Sequence, residues 1–217
     1  MNIMLQLIMI LVLHILLYNE QGQAFSSFSS SVPAMYIAID TNYLSSNDYH
    51  DIYKHNDLSA NRSTYFGVTY DSEVMLVFNK EYPYTKVWDN LKWDSDSVNS
   101  NGVNQFKDTF DKVTIYNDYQ HTGDRDLYYK GGTVPTTRPT ETVRRDRTWS
   151  MDIPRNIVNE DVSDNPDITD SSNWDESQLF KERIRSKWIA CNFSYDNTYN
   201  NVMSVPLVSS LYRKSTR

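Results

Sequence analysis

The chain has a single cysteine, Cys191, among 217 residues, which excludes an intrachain disulfide and any zinc knuckle built from cysteines. Its alternating apolar surroundings, Trp188-Ile189-Ala190-Cys191-Asn192-Phe193, point to a small buried hydrophobe rather than a nucleophile. Histidines number four, and the one close pair, His50 and His55, is spaced i, i+5. That spacing places two ligands on neither one helical face nor one strand face, so no metal site is expected. There is no Gly-x-Ser-x-Gly elbow, no glycine-rich phosphate loop and no His-Glu-x-x-His. Carboxylates are plentiful, but an acid and nucleophile pair is defined by a separation of roughly 5–10 Å in the fold, and no pair stands out in the sequence. The expectation is a protein that is not an enzyme, with no catalytic residue, cofactor or metal.

Positive charge is also short. A net charge of −7 argues against a protein that grips nucleic acid by its backbone, which needs a basic face to displace counterions. Nor is there an uninterrupted apolar run of the roughly 20 residues that a membrane span needs. The nearest is Ile3–Leu17, broken by Gln6 and His14, within an apolar N-terminal segment, residues 1–24. It is the size of a signal-peptide core, and Gly22-Gln23-Ala24 offers small residues for cleavage, but no Lys or Arg precedes it. Three readings stay open for this segment: an export signal, which would make the protein secreted; an anchor; or a start that is not the natural one. No internal repeat and no heptad pattern occurs.

What the chain does have is 16 tyrosines, five tryptophans and an abundance of Asn, Asp and Ser between short apolar runs. Such turn chemistry favours many short strands over long helices. Met35, Ile37 and Ile39 alternate with Tyr36, Ala38 and Asp40; Tyr49–His55 offers a second strand and Tyr65–Val68 leads into a third. Val74-Met75-Leu76-Val77-Phe78 suits a buried strand. Lys86–Leu91 suits its neighbour across a Pro83-bearing connection. Asp94–Gly102 reads as a polar loop with an Asn-Gly turn, and Val113–Tyr116 as a strand. Thr122–Arg147, with Gly131-Gly132, two prolines and the basic cluster Arg138, Arg144, Arg145 and Arg147, reads as an extended exposed loop. Trp149–Val158 is a short apolar insert, and Asn159–Glu176 an acidic, turn-rich segment. Glu176–Lys187 has room for one short helix. Lys187–Tyr195 and Val202–Tyr212 close the chain as strands, with Pro206 demoting the last to an edge or a bulge. The expected fold is mainly β: antiparallel sheets, sandwich-like or meander, with long loops. The tryptophans are better suited to core or interface packing than to a sugar platform.

The ordered blocks FSSFSSSVPAMYIAI, DIYKHN, TYFGVTY, EVMLVFNKEYPYTKVWDNLKW, VTIYNDYQHTG, RTWSMDIPRN, ERIRSKWIACNFSYDN and VMSVPLVSSLYRKSTR run from about Ala24 to Arg217. In this order they resemble the C-terminal part of the stabilisation or tail muzzle proteins of crAss-like bacteriophages. The resemblance implies a virion structural subunit at the phage tail, packed into a ring with copies of itself and against neighbouring tail proteins. It implies no catalysis and no cofactor; from the charge and the run length above, no direct sequence-specific nucleic-acid contact and no stable membrane span are expected. Family members are much longer, so residues 25–217 are expected to be a β-rich structural domain and a piece of a longer protein. On that reading a non-natural start overtakes the signal peptide for residues 1–24.

The residues expected to serve structure and assembly are Trp88, Asp89 and Asn90 at a strand end, and Tyr119 and Gln120 after the Val113–Tyr116 strand. Arg155, Arg183 and Arg185 join them, since guanidinium forks make directional bonds to carboxylates. Two other classes are kept beside this one. An exported β-rich carbohydrate- or surface-binding module would use exposed tryptophans, and a glycoside hydrolase fragment would need two convergent carboxylates.

Overall fold

The computed structural model describes residues 15–19, 23–29, 33–39, 42–47, 50–55, 57, 60–158, 167–175 and 182–214. The chain divides into two compact units, Met1–Tyr70 and Asp71–Arg217. Both are built from β-strands, and the described helical turns are single 3-10 turns at Ser171–Asn173 and Asn197–Tyr199. The mainly β expectation holds. The helix expected over Glu176–Lys187 falls partly outside the described residues, and its described end carries a strand at Arg185–Ser186. Among the described residues no helix is long and apolar enough to cross a membrane; most of the Ile3–Leu17 run lies outside them.

In the first unit, β1 (Ile15–Asn19) pairs with β2 (Ala24–Ser29), and β3 (Met35–Ile39), β4 (Asn42–Ser46) and β5 (Tyr53–Lys54) form a small antiparallel sheet. β6 (Thr64–Tyr65) and β7 (Val68–Thr69) make a two-residue hairpin. Its turn residues Phe66 and Gly67 both have positive φ, 51° and 78°, as the primed turns that match strand twist require. His55 packs among aromatic rings. Its ring lies 5.0 Å from Tyr43 and edge-on to Phe66.

The second unit is one large sheet. Its strands are β8 (Ser72–Phe78), β9 (Lys86–Val98), β10 (Lys112–Tyr116), β11 (Arg125–Tyr129), β12 (Pro139–Arg145), β13 (Thr148–Asp152), β14 (Arg185–Ser186), β15 (Ile189–Tyr195) and β16 (Val202–Lys214). Along the sheet the order is β16-β9-β13-β12-β11-β10-β15-β8, with β14 extending the β13 side of β9. Among the described residues, only β11 and β12 pair in parallel. Five strand spacings separate β9 from β15, about 24 Å in a flat sheet. Yet the rings of Trp93 and Phe193 are 5.6 Å apart. The sheet therefore curls back on itself, and the two halves of one face become the core. That face carries Trp88, Leu91, Trp93, Val113, Ile115, Trp149, Met151, Ile189, Cys191 and Phe193, all at most 2% exposed.

Several local expectations are corrected here. β8 and β9 follow each other in sequence but are not neighbours: β8 pairs with β15, and β9 with β13, β14 and β16. β8 is also not buried, since Val74, Met75 and Val77 are exposed at 38%, 60% and 60%. Asp94–Val98 is not loop but the second half of a 13-residue strand. The inward positions there are polar because Ser95 and Ser97 bond Thr109 and Asp108. Thr122–Arg147 is not one exposed loop; it holds β11 and β12, and Arg144 is half-buried over Trp149 and Phe106. Trp149–Val158 is not an insert but begins in a central strand, flanked by β9 and β12. β16 is an edge strand whose register shifts between Ser204 and Leu207, across Pro206, where a residue without an N–H disturbs no ladder.

Candidate assembly surface

The register of β9 against β16 shifts a second time near the start of β9: Trp88 faces Tyr212 and Asn90 faces Leu211, leaving Asp89 as an extra residue. A bulge re-aims the side chains beside it. Trp88 points inward, 1% exposed. It packs 5.3 Å from Tyr212 and donates its indole N–H to Ser186 Oγ at 3.2 Å. Lys86, two residues earlier and on the same face, is fully buried. Its ammonium donates to the carbonyls of Tyr84 and Lys187 and lies over the rings of Trp88 and Tyr212. Burial pushes its pKa down, and Glu81 partly offsets this.

Asp89 faces the other way and collects two arginines. Arg213 donates from Nε to Oδ2 at 2.6 Å and from Nη2 to Oδ1 at 2.9 Å, and Arg183 donates to Oδ1 at 2.7 Å. The two-point grip of Arg213, then Arg183, holds the Asp89 carboxyl below the usual carboxylate range. Such a fork is directional as well as charged. Its partners stand open to solvent, with side-chain exposures of 44% for Arg183 and 64% for Arg213, so solvent and salt screen it and its contribution to folding is small.

Arg183 itself is placed by Gln120. The Asn117 side-chain carbonyl accepts from the N–H groups of Tyr119 and Gln120, closing a turn directly after β10. Gln120 is thereby 8% exposed. Its amide donates to Arg183 O at 3.1 Å and accepts from Arg185 N at 2.7 Å, as a neighbouring strand would. Between those two arginines Ile184 is fully buried and accepts from Trp88 N.

Five of the residues singled out in the sequence, Trp88, Asp89, Gln120, Arg183 and Arg185, are thus brought together. Trp88 and Asp89 lie within β9 near its start, at a bulge, rather than at a strand end. Asn90 belongs to the next position and donates to Asp152 Oδ1 at 3.3 Å. Tyr119 is 60% exposed on the Asn117 turn. Arg155 and the Arg185 side chain are exposed and make no ion pair among the described residues, unlike Arg183. Sequence reasoning missed Lys86, Asn117 and Arg213. Lys86 carried a signal, since it shares the face of Trp88 by its i, i+2 spacing; Arg213 carried none.

Beside this cluster stand the exposed Tyr82 and Tyr84 in the connection before β9, under Lys187 and Lys214, and Leu211, which faces Asn90; elsewhere on the sheet Leu207 on β16 and Met75 and Val77 on β8 are exposed as well. The arrangement holds elements together and presents directional charge beside apolar area, the composition of a protein interface. It offers no activated nucleophile: Cys191 is fully buried and burial pushes its thiol pKa upward. Trp88, Trp93 and Trp149 are core residues, so three of the five tryptophans are not available to a platform.

Comparison with known proteins gives a consistent assignment. The chain is 27% identical over 194 residues to the muzzle protein of Bacteroides phage crAss001. That alignment takes in 86% of this chain and 12% of the relative's length, so the chain corresponds to a small part of that protein. Residues 60–156, from the β6–β7 hairpin through β13, match the Crassvirus muzzle protein C-terminal domain family. The resemblance read from the ordered blocks is therefore borne out, and over residues 60–156 this chain carries the sequence pattern of the Crassvirus muzzle protein C-terminal domain.

Proposed function

We propose that this chain is a virion structural element of a crAss-like phage, a subunit of the tail muzzle that works by packing against copies of itself in a ring and against neighbouring tail proteins. The observation that carries the proposal is the match of residues 60–156 to the muzzle C-terminal domain. The fold supplies compatible surface. Two edge strands, β8 and β16, each have one paired side, and apolar side chains on both stand in solvent. The Asp89–Arg183–Arg213 cluster, where β16 meets the start of β9, and the exposed Arg155, Arg185 and Tyr119 add directional polar groups. No reaction and no cofactor are part of this role. Residues 25–217 act in it as one β-rich portion of a longer tail protein.

Mass spectrometry of purified virions, with immunogold labelling against residues 71–217, tests the reading. Peptides from this chain in the particle and label at the end of the tail are expected. Peptides confined to the lysate, or label on the capsid, would overturn it. An exported carbohydrate-binding module has no specific observation in its favour, since its expected tryptophan platform is largely occupied by the core.

A further inference from the structure

On the surface of the second unit, four side chains from four segments lie in layers. The ring of Tyr116, at the end of β10, stacks on His121 at 5.8 Å and 17°, and His121 stacks on Trp174 at 4.9 Å and 22°. The Arg138 guanidinium covers Trp174 at 5.6 Å. Trp174 belongs to the strap 167–175, which it helps to shape by donating its indole N–H to Ile168 O. The strap is tied down beside the stack, with Trp174 bridged to Val158 and Asp175 N donating to Ile157 O at 2.6 Å. Ile157 and Val158 are 1% and 2% exposed. His121 is locked from both ends by its backbone, since its N–H donates to Asn156 Oδ1 and its carbonyl accepts from Ile157 N.

The ring nitrogen decides what a proton does here. His121 Nδ1 accepts from the Gly123 backbone N–H at 2.8 Å, so the neutral ring carries its hydrogen on Nε2, and a second proton has to go onto Nδ1. Protonation turns an acceptor into a donor and sets N–H against N–H; the ring must turn to relieve this, and turning breaks the stack on Trp174. The surrounding groups pull in both directions. Asp124 and the faces of Tyr116 and Trp174 favour an imidazolium, whereas burial and Arg138 oppose it. Burial is the largest influence, and the balance lies below the ordinary value of 6.5.

We infer that His121 is a proton-operated latch: neutral, it holds strap 167–175 on the sheet through Trp174, and protonated, it releases the strap and uncovers the apolar pair Ile157 and Val158. A group whose folded pKa is depressed gives the closed form its full stability above 6.5 and loses it progressively as pH falls below that value.

Hydrogen exchange of the full chain at pH 7.5 and 5.5, corrected for the intrinsic pH dependence of exchange, tests this. Peptides holding Ile157–Val158 and Trp174–Asp175 are expected to exchange several-fold faster at pH 5.5. The ceiling is about tenfold, reached when the open form titrates at 6.5 and the closed form does not titrate at all. Peptides from β15 are expected to stay unchanged. His121→Asn, which keeps an acceptor for Gly123 but cannot be protonated in this range, is expected to abolish the difference. Equal protection at both pH values, or the same difference in His121→Asn, would overturn the latch. Should that variant fail to fold, an NMR titration of the unaltered protein decides: the Trp174 indole resonance is expected to move with the His121 midpoint below 6.5. A Trp174 resonance that ignores the titration would overturn it.

Discussion

Trp88 fills the core beside Tyr212 and Lys86, and its ring is 1% exposed. Trp88→Ala is expected to cost about 3–5 kcal/mol, the usual loss for deleting a large buried aromatic whose site collapses only in part. Urea denaturation followed by circular dichroism measures it, and an unchanged midpoint would remove Trp88 from the core. A second prediction concerns Asp111, just before β10. The residue as a whole is exposed, but its carboxyl is turned in to accept from Asp196 N at 2.7 Å. There desolvation first, and then Asp108, Asp196 and Asp71, push its pKa up from 3.8 to about 6. The folded state then binds more protons than the unfolded one between those values, so this group's contribution to stability falls as pH rises from about 4 through 6. Asp111→Asn keeps the acceptor and removes the charge. It should melt higher than the unaltered protein at pH 7, with the gap closing towards pH 4; a gap that widens towards pH 4 would reverse the assignment.

The edge strand β8 is the element where sequence and structure diverge most usefully. Val74-Met75-Leu76-Val77-Phe78 is apolar at every position, the pattern of a strand buried on both faces, but only Leu76 and Phe78 pack against the core. Met75 and Val77 point outward at 60% exposure each, so the unbroken apolar run does not mean burial on both faces. Val77→Lys places a charge on this face, a device natural edge strands use against pairing. It should leave the melting temperature within about a degree, because surface substitutions seldom move stability, while reducing self-association seen by sedimentation velocity. Association undiminished by the lysine would exclude β8 from the contact. Other elements were legible for local reasons. Val113–Tyr116 and Ile189–Tyr195 alternate cleanly, and Pro206 marked the irregularity of β16. The pairing of β8 with β15, across which the Asn192 side chain donates to Glu73 119 residues away, left no local trace, and neither did the docking of Arg213 on Asp89. The strand content of Thr122–Arg147 was hidden because its glycines, prolines and arginines are those of a loop. Yet two-residue turning at Asp146 and Arg147, with φ of 49° and 72°, lets β12 and β13 form a tight hairpin there without any glycine.

At the scale of the molecule, the distribution of buried side chains sets what can stand alone. Among the described residues every buried hydrophobic side chain lies between Trp88 and Tyr195, inside the unit Asp71–Arg217. That unit also holds every strand of the large sheet. The described buried residues of the first unit are Ser45 and Ser46, which supply no comparable apolar burial. Hydrophobic burial is the main favourable contribution to folding, so the fragment 71–217 has the means to fold by itself. Produced alone, it is expected to unfold in one cooperative transition with a melting temperature within a few degrees of the full chain. It should also keep the near-ultraviolet circular dichroism of packed Trp88, Trp93 and Trp149, the signal that a compact state without fixed packing loses. A fragment that kept far-ultraviolet strand signal but lost the near-ultraviolet bands would show that residues before Asp71 are needed to fix the core. It would also move the folding unit towards the family match, which begins at residue 60 and so includes the β6–β7 hairpin.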